Sequence, residues 1–295
     1  MLLISASYIV IPKNDVILPP LSSKVPKFVL EESPRLGEII KSRKKYKEFS
    51  LSPLMLVSKK RYLYSTGEND LLKVRRGEKL SFTFSIAAQG IEQEVFEEIP
   101  RESNTPYGEF YIEIEEVSIV EQHDVRFQLD GKLNIRFETP TLLSTKNMLP
   151  PSVKNKKSIP NLNRLIPQPS LIFSFLAKMW NSIAEPKDLI VLGNLEWTPY
   201  YIGRISDVLF AETGFSIKPL TVIIGKDDKG VLRRTRGFVG WVKYDYSLPR
   251  KYREIVERLL GLATIFGVGR SRGIGFGRVK VENVVEGNRK GEDEG

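Results

Sequence analysis

The sequence predicts an α+β fold made of two tandem ferredoxin-like (RRM-like) domains, each with βαββαβ order and an antiparallel sheet. Its 295 residues, 41% hydrophobic and 27% charged, correspond to about two globular domains. Strand-like and helix-like patterns follow one another in the same order in both halves of the chain. Between Tyr107 and Val120, the residues Phe110, Ile112 and Ile114 alternate with polar ones, which is typical of an antiparallel sheet with one solvated face.

The first half begins with a buried strand and continues into helix signals. A helix is expected to start after Ser22 or Ser23, because either hydroxyl can cap free amides, and Pro26 is tolerated in a first turn. Ser33, followed by a proline, repeats this start signal. The expected elements of this half are strands over 2–11, 48–57, 79–88 and 107–120, two helices after these serines, and a short acidic helix over 91–99.

The second half repeats this course, with a proline-rich connector over 150–169 between its first strand and its first helix. The expected elements are strands over 125–139, 217–224, 237–246 and 276–285 and helices over 171–183 and 250–266. The predicted domains are therefore residues 1–122 and 123–286. Residues 287–295 are charged and glycine-rich, so we expect this tail to be disordered.

The composition narrows the chemistry that the chain can perform. Cysteine is absent and His123 is the one histidine, which excludes disulfides and thiolate chemistry and argues against a zinc site or a Ser-His-Asp triad. Lys and Arg number 45 against 36 Asp and Glu, and this surplus of +9 favours polyanionic partners. No segment has the ~18 apolar residues of a membrane span. The sequence therefore predicts a soluble cytoplasmic protein without metal or cofactor.

A glycine-rich segment, residues 267–277, lies between the last predicted helix and the last strand. It differs from a dinucleotide-binding fingerprint in its glycine spacing, and the helix precedes it instead of following. A backbone with few side chains can approach a phosphate chain closely and present Arg270, Ser271 and Arg272 as donors. The alternative is a structural turn with solvated arginines. Five glycines in eleven residues exceed what one turn needs, which favours the phosphate site.

Four segments of the chain resemble the RAMP superfamily of CRISPR-associated proteins, and specifically the endoribonuclease that cuts CRISPR precursor RNA within its repeats. They are VILPPLSSKVPK (16–27), FETPTLLS (137–144), GFVGW (237–241) and the glycine-rich segment (267–277), so the resemblance extends over nearly the whole chain. The glycine-rich segment alone is similar to the whole superfamily. The other three narrow the resemblance to the processing nuclease and to its crenarchaeal branch.

The resemblance also suggests which residues form the active site. Many members of the family place a catalytic histidine in the first helix region, where this chain has none, and His123 falls in a predicted turn instead. Members of the crenarchaeal branch lack that histidine too, and the resemblance to them implies a site of lysines and an arginine. Without the resemblance, two lysines three residues apart would be interpreted as the solvated flank of a helix. The catalytic residues implied by the resemblance are Lys24, Lys27, Lys47 and Arg233.

Further cations are candidates for RNA contacts. Residues 41–47 contain five cations, a run that is typical of a solvated helix end and equally suits an RNA-contact strip. Arg236 follows a predicted hairpin turn at 227–230, and the two interpretations of this hairpin are a phosphate clamp and an exposed hairpin without a ligand. The expected RNA-binding residues are Lys44, Lys45, Arg236, Arg270, Ser271 and Arg272.

The resemblance implies a metal-independent cleavage. The ribose 2′-hydroxyl attacks the adjacent phosphate, giving a 2′,3′-cyclic phosphate and a 5′-hydroxyl, while lysines and an arginine stabilise the developing charge. A lysine whose pKa is lowered by neighbouring cations can protonate the leaving oxygen. The implied partners are CRISPR repeat RNA, as precursor and product, a second copy of the chain in a homodimer, and a CRISPR effector complex that receives the RNA. The alternatives are a non-catalytic RNA-binding RAMP subunit of an effector complex and a general single-strand RNA-binding module.

Overall fold

The structure is a computed structural model that describes residues 1–41, 48–88, 93–153, 159–160, 162–227 and 229–284. Two ferredoxin-like domains follow one another along the chain, as the sequence predicts. Each domain packs an antiparallel sheet against helices. The tail predicted over 287–295 lies outside the described residues.

The N-terminal domain is built on a seven-stranded antiparallel sheet. Its elements are β1 (Leu2–Pro12), β2 (Val16–Leu18), α1 (Lys24–Glu31), α2 (Pro34–Lys41), β3 (Phe49–Leu51), β4 (Met55–Leu56), β5 (Arg61–Tyr62), β6 (Leu72–Val74), β7 (Leu80–Ala88), β8 (Glu102–Thr105) and β9 (Gly108–Glu121). The strand order is β5-β4-β7-β1-β9-β8, with β3 also paired to β7. This places β1 in the middle, as in a ferredoxin-like sheet.

Local sequence explains these elements. Alternate residues of β1 are buried in the core that α1 and α2 cover, which is the period-2 pattern of a strand. The Ser33 hydroxyl accepts a hydrogen bond from the Leu36 N–H (3.3 Å), so the predicted cap of α2 is confirmed. In β9, Phe110 and Ile112 are buried while Glu109, Tyr111 and Glu113, which alternate with them, are exposed, and this confirms the sheet with one solvated face.

The C-terminal domain has a four-stranded sheet in the order β13-β14-β10-β15. Its elements are β10 (Lys132–Thr141), β11 (Leu143–Ser144), β12 (Asn163–Arg164), α3 (Pro169–Ile183), α4 (Thr198–Leu209), β13 (Phe210–Lys226), β14 (Leu232–Tyr246), α5 (Arg250–Phe266) and β15 (Val279–Val284). The helix α5 buries Val256, Leu259, Leu260 and Ala263, which are spaced at i, i+3, i+4 and i+7 along one face.

Among the differences from the sequence prediction, two concern helices. The helix expected over 91–99 is a short 3₁₀ turn at Gln93–Phe96 where the structure describes it. The helix α4 was not predicted, because the residues it buries are mostly small or polar and give a weak apolar period. One of them, Gly203, packs so tightly that a Cβ there would lie 2.8 Å from the Ser170 carbonyl oxygen of α3. Close helix packing therefore replaces the large apolar residues that sequence analysis looks for.

The two domains meet at a small apolar cluster. Leu21 of the N-terminal domain packs there with Leu142, Val222 and Phe276 of the C-terminal domain. The strands β13 and β14 are longer than the sequence predicts. Their hairpin extends beyond the other strands of the C-terminal sheet and reaches this cluster. The end of the hairpin is thus placed beside the start of α1.

Candidate active site

Two of the proposed catalytic lysines, Lys24 and Lys27, lie at the start of α1, which both domains hold in place. The Ser22 Oγ donates a hydrogen bond to the Leu63 carbonyl (2.5 Å) within the N-terminal domain. The Ser23 Oγ donates to the Ile274 carbonyl (2.7 Å), which belongs to the glycine-rich segment of the C-terminal domain. Lys24, the first residue of α1, is therefore fixed at the boundary between the domains.

The hairpin between β13 and β14 supplies a third cation. Asp227 Oδ1 accepts hydrogen bonds from the backbone N–H groups of Lys229 (3.0 Å) and Val231 (2.9 Å), so the predicted turn is confirmed. Just before this turn, Gly225 of β13 pairs with Arg233 of β14 next to a bulge. The guanidinium of Arg233 is thereby carried at the tip of the hairpin.

Two contacts dock the hairpin on the N-terminal domain. The Ile223 backbone N–H donates to the Ser65 carbonyl (3.1 Å). Arg234 forms an ion pair with Glu68, and its guanidinium donates to that carboxylate. These contacts hold the neighbouring Arg233 beside α1.

The side chains of Lys24, Lys27 and Arg233 form one group, which we name the cationic cluster. Burial lowers the pKa of the Lys24 ammonium, and the charges of Lys27 and Arg233 lower it further. Lys24 is half-buried, whereas the other two are exposed. Lys27 also pairs with Glu31 one turn along α1 (3.6 Å). The structure thus brings together three of the four residues that the resemblance implies, and they come from both domains.

The glycine-rich segment uses its glycines to approach the protein's own backbone. Gly267, Gly269 and Gly277 have φ values of 74°, 90° and 75°, which favour glycine. A Cβ on Gly277 would lie 2.1 Å from the Val268 carbonyl oxygen, and one on Gly269 would lie 2.6 Å from the Leu142 carbonyl oxygen. The glycines are therefore needed for packing, which is closer to the structural alternative than the sequence analysis expected.

Arg272 is placed differently from the sequence expectation. Its side chain is buried, with the guanidinium 5.3 Å from the ring centre of Phe175 and 6.0 Å from that of Phe266. Its Nη1 donates to the Phe266 carbonyl (3.3 Å). Burial lowers the pKa of Arg272 to about 9, so it stays protonated at neutral pH. The prediction that Arg272 presents its guanidinium to a phosphate at the surface is wrong, because the group lies between aromatic rings.

Other predicted RNA contacts are accessible. Arg270 and Ser271 are exposed at the tip of the glycine-rich segment, and Arg236 is exposed on β14. The Arg270 backbone N–H donates to the Leu142 carbonyl (3.0 Å), which fixes the chain beneath its exposed side chain. These three residues stay predictions as RNA ligands. Lys44, Lys45 and Lys47 lie outside the described residues.

His123 is an exposed residue of a short turn after β9. Its Nδ1 lies 3.2 Å from a carboxylate oxygen of Glu121, and its Nε2 lies 3.5 Å from one of Asp124. Neither carboxylate belongs to the segments that form the cationic cluster.

Sequence reasoning missed two residues that shape this site. Gly225 carries a usable signal, because a glycine inside a strand pattern indicates a bulge or a close backbone approach. Glu68 carries no sequence signal of its role, since its partner Arg234 is far away in sequence.

Comparison with known proteins identifies the family. The Cas6 N-terminal domain model matches residues 4–120, and the model of the CRISPR-associated endoribonuclease Cas6 matches residues 135–279. The chain belongs to the Cas6 family. Two Saccharolobus solfataricus proteins named CRISPR-associated endoribonuclease Cas6 1 and Cas6 2 are each 35% identical to it, over 95% of this chain and 96% of theirs.

Solved Cas6 structures have the same fold. A Cas6 product complex matches with a TM-score of 0.60 at 18% identity, over 94% of this chain and all of that one (100%). Thermus thermophilus Cas6 matches with a TM-score of 0.58 at 16% identity, over 95% of this chain and 98% of that one. At these identities the likeness establishes the Cas6 fold alone.

Two features are absent from the described ranges. None of the helices there combines the length and apolar character needed to cross a membrane. In the same residues, no three His, Cys, Asp or Glu side chains are grouped so that they could hold a metal ion.

Proposed function

We propose that this Cas6 family member cuts CRISPR precursor RNA within its repeats, without metal, by attack of a ribose 2′-hydroxyl. The products are a 2′,3′-cyclic phosphate and a 5′-hydroxyl. The observation that carries this proposal is the cationic cluster: Lys24 and Lys27 start α1, and the Lys24 ammonium lies against Gly225, the strand partner of Arg233 in the other domain. RNA supplies its own nucleophile, so such a site needs only to align it and to stabilise developing charge.

The three cations differ in the role that their environment suits. Lys24 is half-buried and its pKa is lowered, so its ammonium releases a proton more readily than an ordinary lysine. It is our candidate for the acid that protonates the leaving 5′-oxygen. Lys27 and Arg233 are exposed and charged, and they are our candidates for stabilising the negative charge on the phosphate. The prediction for Lys47 is the same.

RNA binding is proposed to extend along the surface next to the cluster. The Ser23 Oγ bond to the Ile274 carbonyl joins the start of α1 to the glycine-rich segment, and Arg270 and Ser271 of that segment are exposed. Arg236 follows Arg233 on the same strand. With Lys44 and Lys45 as sequence predictions, these residues would bind phosphates of the repeat, in both precursor and product. A homodimer and hand-over of the product to an effector complex are further parts of this proposal.

The experiment that tests the proposal is cleavage of labelled CRISPR repeat RNA in EDTA, with chemical analysis of the new ends. The matched control is the same RNA with one 2′-deoxy nucleotide at the cut site. A single cut in EDTA that leaves a cyclic phosphate and is abolished by the deoxy substitution is expected. Cleavage that requires added Mg²⁺ would contradict metal independence. Repeat-specific binding without any cut would favour a non-catalytic subunit, and binding without repeat preference a general RNA-binding module.

A further inference from the structure

Gly225 lies directly against the side chain of Lys24. A Cβ built on Gly225 would lie 2.6 Å from Lys24 Nζ and 3.6 Å from Lys24 Cε. The ammonium therefore occupies the space that any side chain at position 225 would fill. The contact crosses the domain boundary, since Gly225 belongs to β13 and Lys24 to α1.

The position of Gly225 is set by the docked hairpin. A bulge between Ile223 and Gly225 shifts the register of β13, and Gly225 has a φ of 145°. Its partner across the hairpin is Arg233, the third member of the cationic cluster. The Ile223 N–H bond to Ser65 holds this part of β13 on the N-terminal domain. The hairpin thus places the backbone of Gly225, which has no side chain, against Lys24, and it also carries Arg233.

We propose that Gly225 is a positioning residue, whose missing side chain leaves the recess that fixes the Lys24 ammonium next to Arg233. What the fixed ammonium does rests on the function proposed above, but the contact itself does not. A side chain at 225 would push the ammonium outward, away from Arg233 and into more solvent. Two effects follow: a poorer position for proton donation, and a pKa of Lys24 closer to that of an ordinary lysine.

The variant Gly225→Ala is expected to fold. The atom that its methyl group would meet is the far end of a flexible lysine, which can move at little cost, so the core is untouched. Backbone strain is the effect to control for, because Gly225 lies in a region of φ that favours glycine. Gly230→Ala is the control for a positive φ in the same hairpin: its φ is 78°, and a Cβ there meets nothing within 4 Å.

Two measurements on wild type, Gly225→Ala and Gly230→Ala test the proposal. The first is the titration of Lys24 by NMR after ¹³C-methylation of the lysines without RNA, with the signal assigned by Lys24→Arg. The second is the single-turnover cleavage rate of repeat RNA from neutral to alkaline pH, alongside affinity for the uncleavable 2′-deoxy RNA. We expect Gly225→Ala to raise the pKa of Lys24 and to lower the rate on the order of 10–100-fold with little change in affinity, because small misplacements of a reacting group have effects of this size. Gly230→Ala should change neither.

The outcomes separate this inference from the proposed function. If Lys24 titrates in Gly225→Ala as it does in Gly230→Ala, the inference is overturned, whatever the rate does. If its titration moves while Lys24→Ala cleaves at the wild-type rate, Gly225 still positions Lys24 but Lys24 is not the acid. If both the titration and the rate change in Gly225→Ala alone, both proposals are supported.

Discussion

The cationic cluster and the glycine-rich segment are connected through Ser23, which precedes Lys24 and bonds to Ile274, yet the two regions are built in opposite ways. The cluster holds Lys24, Lys27 and Arg233 near one another, where their charges repel, and leaves two of them exposed. The glycine-rich segment folds on itself and buries one of its two arginines, Arg272, between aromatic rings. Mutual repulsion that a fold maintains is typical of a functional site. A cation enclosed by rings is typical of structural packing.

The comparison shows that prominence in the sequence does not tell where the structure brings cations together. The glycine-rich segment is the most conspicuous feature of the chain, and its glycines serve packing. The cationic cluster instead combines two lysines of α1 with an arginine more than 200 residues away in the sequence, on the other domain. The following predictions separate the two regions, from the largest expected effect to the smallest.

The largest effect is expected for Lys27→Ala in the cationic cluster. Removing one donor of transition-state charge stabilisation should reduce the single-turnover rate on the order of 10²–10³-fold, or about 2.7–4 kcal/mol. Binding to the 2′-deoxy RNA should change much less, because only interactions that strengthen in the transition state raise the chemical rate. Weak binding with a normal rate at saturating enzyme would make Lys27 an RNA contact only.

Gly277→Ala should disturb the glycine-rich segment severely. Its Cβ would lie 2.1 Å from the Val268 carbonyl oxygen, and backbone cannot move aside as a side chain can. We expect the free energy of unfolding to fall by about 3 kcal/mol in a denaturant titration. Gly77→Ala is the control, with a φ of 79° and nothing within 4 Å of the added Cβ. Equal losses in both variants would show that strain alone, and not close packing, explains the glycine.

The two arginines of the glycine-rich segment should behave differently. Arg272→Met fills the same space but leaves the Phe266 carbonyl without this donor, so we expect a loss of about 1–3 kcal/mol in stability. Arg270→Ala should keep its stability, bind RNA more weakly and lower the salt slope of log K by about 0.7, the value for one phosphate contact on single-stranded RNA. If Arg272→Met weakened RNA binding at unchanged stability, while Arg270→Ala lost stability and bound RNA normally, Arg272 would again be assigned as an RNA contact.

The smallest effect is expected for His123→Ala. The residue is exposed in a turn, and its contacts are two carboxylates outside the cationic cluster. Its single-turnover rate should equal that of wild type. A hundredfold loss with the fold intact would replace the lysine-centred mechanism, since general acid–base residues contribute about 10²–10⁴-fold.

Local patterns made much of the fold predictable. The helix α5 spans the predicted residues, because its apolar period is strong and Gly267 ends it with a positive φ. The burial of Arg272 was not predictable, since the ring of Phe175 comes from a distant helix. The same holds for Lys24 and Gly225, whose contact depends on a docked hairpin. Sequence patterns report neighbours along the chain, whereas the site is assembled by contacts between domains.

The measurement that tests the cationic cluster most directly is the pH dependence of the single-turnover rate in EDTA, for wild type and Lys24→Ala. A general acid must carry its proton, and the lowered pKa of Lys24 means that it loses this proton at a lower pH than an ordinary lysine. The wild-type rate should therefore fall as pH rises through that lowered pKa. In Lys24→Ala the rate should be low and this fall should be absent. The same alkaline fall in both proteins, or a wild-type rate in Lys24→Ala, would contradict the assignment of Lys24 as the acid.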